Sequence, residues 1–172
     1  MRKELFLPDV EGEARLLLLI NAFSSGENGL EGRTKLAKLD FFLRYPLFLE
    51  RALSIRNPEV SLDIELIETN NIENRMVRYR YGPWDPAYYA LLGRLIGKQL
   101  IETVHTSRGL SYKVTNRGRE LAIKLAGDMS WKTIANRASL LKKYMNLNGS
   151  NLKDFIYKYF PEVSQAAWGD HL

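Results

Sequence analysis

Apolar residues recur every three or four positions along much of the chain, which is the spacing of one face of an α-helix. Polar or glycine-rich stretches, such as residues 24–29 and 57–74, separate these periodic segments. The helices predicted from the pattern cover residues 13–23, 33–45, 47–55, 131–145 and 152–160. We therefore expect a mainly α-helical protein.

A different pattern interrupts the helical one between residues 75 and 122. A short strand-like segment and a helical segment are followed by Leu100–Thr106 and Leu110–Thr115, which are rich in Ile, Val, Thr and Tyr. Gly109 between them suits a hairpin turn, because glycine adopts positive φ at little cost. Thr115 is a suitable N-cap for a further helix. This order is typical of a winged helix-turn-helix; the alternative is a helix followed by an unrelated hairpin.

The predicted fold class is therefore mainly α with a small β-hairpin, a winged helix-turn-helix domain followed by C-terminal helices. Residues 1–126 are predicted to form the winged-helix domain with its N-terminal helices. Residues 127–172 are predicted to form a helical extension that packs on this domain or serves for docking. Within that extension, residues 162–172 resemble a tail, and Trp168 is a candidate to dock on a partner.

Composition excludes several kinds of chemistry. The chain has no cysteine, which excludes disulfides, thiolate metal sites and cysteine nucleophiles. The longest apolar run, Leu16–Ile20, is too short to cross a bilayer. Acidic residues interrupt the N-terminal segment where a secretory signal needs an apolar core. We expect a soluble cytoplasmic protein that has no membrane partner.

One segment resembles a phosphate-binding loop but departs from it in two places. Gly93–Lys98 has three residues between its glycines instead of four, and Gln99 stands where Ser or Thr would bind magnesium. The segment also falls within a predicted helix and not in a strand-to-helix loop. It therefore does not predict a nucleotide site.

Histidines and carboxylates also fail to form a convincing catalytic set. His105 and His171 are the two histidines of the chain, and they lie in different predicted elements. Asp63 and Glu65 would share a face if residues 60–66 form a strand, but no lysine follows at a spacing useful to a metal-dependent nuclease. Solvated charges on an edge strand are the favoured interpretation. We predict no enzyme activity, cofactor, metal site or small-molecule substrate.

Charge is distributed unevenly along the chain. Residues 1–72 carry 9 Lys and Arg against 12 Asp and Glu, whereas residues 73–172 carry 16 against 8. A basic C-terminal part indicates an anionic partner, either nucleic acid or an acidic protein surface. The candidate contacts to a nucleic-acid backbone are Arg33, Lys35, Lys38, Arg108, Lys113, Arg117 and Arg119.

The predicted third helix of the winged helix is poorly suited to reading DNA bases. Its early turns contain Ala and Tyr, and its Arg94, Lys98 and Gln99 all come late. Arginines alternating with aromatic residues just before this helix suit protein interfaces as well as phosphate contact. The candidate partner-binding residues are Arg78, Tyr79, Arg80, Tyr81, Trp84, Tyr88 and Tyr89. The alternative is that Tyr79 and Tyr81 belong to the core and the arginines are solvated.

Two segments carry a family resemblance. They are GRTKLAKLDFFLRYP at residues 32–46 and RYRYGPWD at residues 78–85, the second running on into the hairpin. Together they resemble the middle component of ABC-three-component bacterial defence systems, the Lamassu-type group, over roughly residues 13–126. The resemblance implies a small non-enzymatic subunit with no catalytic residues. Such a subunit bridges an SMC- or Rad50-like ATPase and an effector, often a nuclease, in anti-phage or anti-plasmid immunity.

The leading hypothesis is therefore an assembly subunit that acts through protein contacts, with auxiliary nonspecific contact to the DNA backbone. The second hypothesis is a DNA-binding transcriptional repressor or antitoxin, which the same winged helix and basic C-terminal part would suit. The third is a nuclease that uses Asp63 and Glu65. The sequence alone does not decide among these three hypotheses.

Overall fold

The computed structural model describes residues 8–62 and 76–172. Its helices are α1 (Val10–Phe23), α2 (Arg33–Arg44), α3 (Pro46–Arg56), α4 (Tyr88–Gly97), α5 (Asn116–Gly127), α6 (Met129–Tyr144), α7 (Gly149–Tyr159) and α8 (Pro161–Ser164). Its strands are β1 (Leu30–Glu31), β2 (Val77–Tyr79), β3 (Gly82–Trp84), β4 (Ile101–Thr106) and β5 (Gly109–Val114). The predicted class, mainly helical with a small antiparallel β component, is confirmed.

The chain forms two compact units, and each unit is built from two separate stretches of sequence. Unit 1 consists of Met1–Gly32 and Asp85–Lys142, and unit 2 consists of Arg33–Trp84 and Lys143–Leu172. Neither unit ends at residue 126, where the sequence suggested a domain boundary. The independent folding of residues 1–126 stays a prediction.

Unit 1 contains a three-stranded antiparallel sheet in the order β1-β5-β4. The hairpin between β4 and β5 has the predicted position, with Ile101 opposite Val114 and Thr106 opposite Gly109. Gly109 has a φ of 108°, as its place in the turn requires. Helix α1 packs against α4, α5 and β5, and its apolar face supplies the interior of the unit.

Side-chain caps determine where two helices of unit 1 begin. Asp9 Oδ1 accepts a hydrogen bond of 2.6 Å from the Gly12 N–H, so α1 begins at Val10, three residues before the predicted start. Thr115 Oγ1 accepts a hydrogen bond of 3.0 Å from the Gly118 N–H at the start of α5, which confirms the predicted cap. Both caps satisfy N–H groups that have no partner inside their helix.

Unit 2 has an aromatic core. Helix α2 packs against α3, α7 and β3. The Phe42 and Phe48 rings both meet the Phe160 ring edge-on, with centroids 5.6 Å apart in each case. Phe41 lies beside Phe42 at 5.3 Å. Such tilted and edge-to-face contacts are the favoured geometry of aromatic pairs.

The end of the chain pairs with β2, so the prediction of a tail over residues 162–172 is wrong. Residues 161–164 form α8, and the next residues return to the β2–β3 hairpin. The Arg78 N–H donates to the Asp170 carbonyl at 2.8 Å, and the Gly169 N–H donates to the Arg78 carbonyl at 2.7 Å. The Leu172 N–H donates to the Met76 carbonyl at 2.9 Å. Backbone pairing of this kind leaves no periodic signal in so short a segment.

No helix within residues 8–62 and 76–172 combines the length and the hydrophobicity needed to cross a bilayer.

Candidate functional site

The β2–β3 hairpin of unit 2 places two exposed tyrosines and an exposed arginine near the half-buried Trp84. Strand register places Val77 opposite Trp84 and Tyr79 opposite Gly82, so these four residues share one face. The Tyr79 and Trp84 ring centroids lie 6.0 Å apart, and Tyr79 is 52% exposed. We call Tyr79, Arg80, Tyr81 and Trp84 the hairpin surface.

The turn of the hairpin carries the charged part of this surface. Arg80 and Tyr81 are both exposed, and the Arg80 guanidinium carbon lies 5.4 Å from the Tyr81 ring centroid. This distance is within the range of a cation–π contact. Gly82, which has a φ of 118°, allows the chain to enter β3. The alternative in which Tyr79 and Tyr81 belong to the core does not hold, because both are about half exposed.

Arg78 occupies the opposite face of the hairpin and is buried. Its guanidinium carbon lies 5.0 Å from the Tyr157 ring centroid, and its Nη1 donates to the Tyr79 carbonyl. Its Nε has no hydrogen-bond partner among the described residues. Arg78 therefore packs inside unit 2 and contributes nothing to the hairpin surface.

Tyr88 and Tyr89 are separated in unit 1 although they are neighbours in sequence. Tyr88 is fully buried, whereas Tyr89 is 60% exposed. Both lie in the first turn of α4, where successive side chains point about 100° apart. Tyr89 alone of the two is available at the surface.

The basic residues proposed for nucleic acid in unit 2 differ sharply in exposure. Arg33 is exposed at the start of α2, whereas Lys35 and Lys38 are buried. Lys35 Nζ donates to Asn146 Oδ1 at 3.0 Å, and Lys38 Nζ donates to the Thr34 carbonyl at 3.2 Å. Burial, and secondly repulsion from Lys153, lowers the pKa of Lys38 to about 8.

The corresponding residues of unit 1 are spread over the hairpin and the following helix. Arg108, in the β4–β5 turn, lies 3.5 Å from a Glu31 carboxylate oxygen. Arg117 and Arg119 are exposed at the start of α5, and Lys113 is half-buried on β5, opposite Glu102. A six-residue strand spans about 20 Å, so the turn and α5 are well separated. The structure does not gather these cations into one patch.

A cavity of about 580 Å³ opens in unit 1 among α1, α4 and α5, and the sequence pattern does not predict it. Leucines form much of its wall, and charged side chains lie among them. The leucines are Leu17, Leu95, Leu100, Leu121 and Leu125. The charged residues are Glu13, Lys98, Arg117, Glu120 and Lys124.

Glu13 is the most buried charged residue in this lining, at 5% exposure. Its Oε2 accepts a hydrogen bond from Lys98 Nζ, and Arg94 Nη1 lies 3.5 Å from its Oε1. Glu13 follows the helical spacing of Leu16, Leu17 and Ile20 in α1. A carboxylate on an apolar helix face signals a buried ion pair, and this signal could have located the site from sequence.

Metal ligands are not grouped within the part of the chain that the structure describes. No three His, Cys, Asp or Glu side chains among those residues could hold a metal ion. His105 is exposed on β4, and His171 forms a β-bridge with Val77. Asp63 and Glu65 lie outside the described residues, as does most of the predicted strand over 60–66.

No protein-family model matches the chain, and no curated protein or solved structure is significantly similar to it.

Proposed function

We propose that this chain is a non-enzymatic bridging subunit of a bacterial anti-phage or anti-plasmid defence complex. It links an SMC- or Rad50-like ABC ATPase to an effector subunit, of which a nuclease is the leading candidate, in the cytoplasm. The exposed hairpin surface is the observation that carries this proposal. The resemblance of residues 32–46 and 78–85 to Lamassu-type middle components supplies the identity of the partners.

The hairpin surface has the residue types of a protein-binding site, and two paired strands fix their positions. Tyr, Trp and Arg are the residues most enriched among those that dominate binding energy at interfaces. Two paired strands hold the Tyr79 and Trp84 rings 6.0 Å apart, so little side-chain freedom is lost on binding. Contiguous exposed apolar patches on a protein surface commonly mark interaction sites.

Unit 1 supports a winged-helix assignment. Its elements follow the order α1, β1, α4, β4, β5, and its sheet order is β1-β5-β4. In this assignment α4 is the helix that would enter a DNA groove, and the β4–β5 hairpin is the wing. Helix α2, which follows β1 in the chain, belongs to unit 2.

The exposed face of α4 favours protein contact over base recognition. Arg94 and Lys98, the two cations of this segment, are both engaged with Glu13. Gln99 lies beyond the helix with a φ of 57°. The remaining exposed positions include Tyr89 and Gly93, which offer no bidentate hydrogen bonds to base edges.

The decisive experiment is affinity purification of the tagged protein from a host that expresses its native gene cluster. Mass spectrometry should recover a long coiled-coil ATPase from the same cluster. Combined Tyr79→Ala and Trp84→Ala substitutions should weaken the reconstituted complex by about 30-fold or more, as loss of central interface anchors does. Leu47→Ala is the control, because Leu47 is 56% exposed in unit 2 and lies outside the hairpin surface.

The alternative function is a transcriptional repressor or antitoxin that binds DNA. Exposed Arg108, Arg117 and Arg119 on the β4–β5 hairpin and α5 are the observation that favours it. A repressor must discriminate its operator from random duplex by about a thousandfold or more. Recovery of the protein alone, together with such discrimination in a fluorescence anisotropy titration, would replace the bridging proposal with this one.

A further inference from the structure

The leucine-lined cavity of unit 1 has the size and the chemistry of a small-molecule site. Ligand sites commonly enclose about 300–1,000 Å³ and combine apolar walls with a few polar groups. The cavity measures about 580 Å³ and meets both conditions. It belongs to α1, α4 and α5, and it includes no residue of the hairpin surface.

One buried group in the lining has an unused hydrogen-bonding position. Glu13 Oε1 accepts no hydrogen bond from the described residues, although the carboxylate is almost completely buried. Its contact with the Arg94 guanidinium, with Nη1 3.5 Å away, is an ion pair and not a hydrogen bond. Buried polar atoms in proteins are nearly always hydrogen-bonded, so Oε1 can accept a further donor from the cavity. The terminal torsion of a glutamate side chain is soft. A small rotation can therefore bring Oε1 toward an N–H or O–H group in the cavity while Oε2 keeps its hydrogen bond from Lys98 Nζ.

The rim of the cavity favours an anion. Lys98, Arg117 and Lys124 face two carboxylates, those of Glu13 and Glu120. Lys98 is already paired with Glu13, whereas Arg117 and Lys124 form no ion pair with any residue of the described ranges. Both are exposed near the first and last turns of α5. Two unpaired cations beside an apolar wall are suited to a ligand with an acidic group and a hydrophobic body.

We propose that this cavity binds a small amphipathic organic anion. Its aromatic or aliphatic body lies against Leu17, Leu95 and Leu121. Its acidic group meets Arg117 and Lys124, and an N–H or O–H on the body donates to Glu13. The ligand bridges α1, α4 and α5, so its binding stabilises unit 1. This is a ligand and not a substrate, and the proposal does not depend on the proposed bridging function.

The test uses the full chain and 1-anilinonaphthalene-8-sulfonate, which carries aromatic rings, one N–H and one sulfonate. A fluorescence titration near physiological ionic strength should show saturable binding of one molecule. Arg117→Glu combined with Lys124→Glu should weaken binding by about tenfold or more, because charge-assisted contacts are lost. Arg119→Glu is the matched control: Arg119 is exposed on the same helix but does not line the cavity. It should change binding by less than about twofold, as expected for a screened distant charge.

A second pair of variants fills the cavity without changing charge. Leu121→Trp should abolish binding, whereas Ile123→Trp, at an exposed position of α5 outside the lining, should preserve it. Circular dichroism melts establish that each variant is folded. Methyl NMR spectra of the wild-type protein should show probe-induced shifts at Leu17, Leu95 and Leu121.

Three outcomes would overturn the proposal. The first is an equal loss of affinity in Arg119→Glu, which indicates nonspecific surface attraction. The second is methyl shifts that map away from the cavity. The third is that the probe does not bind, whereas an acidic amphipathic peptide shifts these methyl signals in a saturable manner. That result would assign the cavity to a protein segment.

Discussion

Gly118 permits a close approach between α5 and the residue that precedes β4. A Cβ at this position would lie 1.8 Å from the Leu100 carbonyl oxygen, which is backbone and cannot rotate away. Gly118 also donates the hydrogen bond that Thr115 accepts as the cap of α5. The helix therefore has no room for any other residue here.

Gly118→Ala should lower the free energy of unfolding by about 2 kcal/mol or more, because over-packing forces the backbone to shift. Gly127→Ala, in the same helix, meets nothing within 4 Å and is the control. It should be neutral or stabilising by up to about 1 kcal/mol, since alanine favours helix. Urea denaturation measures both. Equal effects of the two substitutions would contradict the steric explanation.

The buried Lys38 makes stability depend on pH. Its pKa is lowered from 10.5 to about 8 in the folded protein, by burial first and by repulsion from Lys153 second. Between these two values the unfolded chain binds more protons than the folded one, so the free energy of unfolding rises with pH through this window. Below about pH 8 both states are protonated, and the cost of burying the charge is constant.

The wild-type protein should gain at most about 3 kcal/mol from Lys38 between pH 8 and 10.5. Lys38→Met keeps the length of the side chain and removes the titration, so this component of the pH dependence should disappear. Urea denaturation of both proteins from pH 7 to 10 isolates the difference, because the remaining groups are shared. Parallel curves for the two proteins would show that Lys38 titrates normally.

The sequence does not predict which of the candidate partner-binding side chains are exposed. Tyr79 is half exposed and Tyr88 is fully buried, yet both were predicted to bind a partner. Arg78 is buried and Arg80 is exposed, although they are two residues apart. Residue type sets the cost of burial but does not decide which face of a three-residue strand points inward. That choice depends on distant segments of unit 2, such as residues 169–172.

Helices α1 and α4 are joined by an ion pair that is buried on one side. The Glu13 side chain is 6% exposed and the Lys98 side chain 51%. In unit 2, Arg51 and Glu162 form a pair at 2.7 Å whose side chains are 41% and 44% exposed. Each pair joins a basic side chain to a glutamate, so comparing the two pairs shows how burial changes the strength of an ion pair.

A double-mutant cycle with Glu13→Gln and Lys98→Met should give a coupling energy of about 1–2 kcal/mol. The cycle with Arg51→Met and Glu162→Gln should give less than about 1 kcal/mol, because solvent screens exposed charges. Raising the salt concentration should reduce the second coupling more than the first. A stronger coupling in the exposed pair would contradict the role assigned to burial.

Elements with strong local signals were predicted correctly. The β4–β5 hairpin has six-residue strands and a turn glycine, and α5 has its predicted cap at Thr115. No local pattern predicts β1, which has two residues and pairs with β5 far along the chain. The cavity was missed for a related reason: its walls come from three helices, and no single segment records their convergence. Local chemistry specifies elements, whereas long-range pairing determines the site.

At the scale of the molecule, the distribution of accessible cations limits contact with DNA. Arg108, Arg117 and Arg119 are exposed in unit 1 and Arg33 is exposed in unit 2, whereas Lys35 and Lys38 are buried. Each phosphate contact contributes about −0.9 to the slope of log K against log salt concentration. Contact by all seven candidate residues would give a slope of about −6.

We expect weak DNA binding with a slope no steeper than about −4, and equal affinity for unrelated duplexes. Fluorescence anisotropy over a range of salt concentrations measures the slope. Arg117→Ala should reduce its magnitude by about 1, whereas Lys35→Met should leave it unchanged. A slope near −6, or a clear preference for one sequence, would require surfaces beyond these residues.

The pairing of residues 169–172 with β2 has a consequence for how the protein matures on the ribosome. Unit 1 has all of its residues once Lys142 has been synthesised, whereas unit 2 also requires the stretch from Lys143 to Leu172. At about 5–20 residues per second, synthesis of that stretch takes on the order of a few seconds. During this interval Phe42 of α2 and Phe48 of α3 lack their ring contacts with Phe160. The hairpin surface is then exposed before residues 169–172 can pair with β2. A nascent chain is therefore exposed to chaperones and to premature association mainly through unit 2.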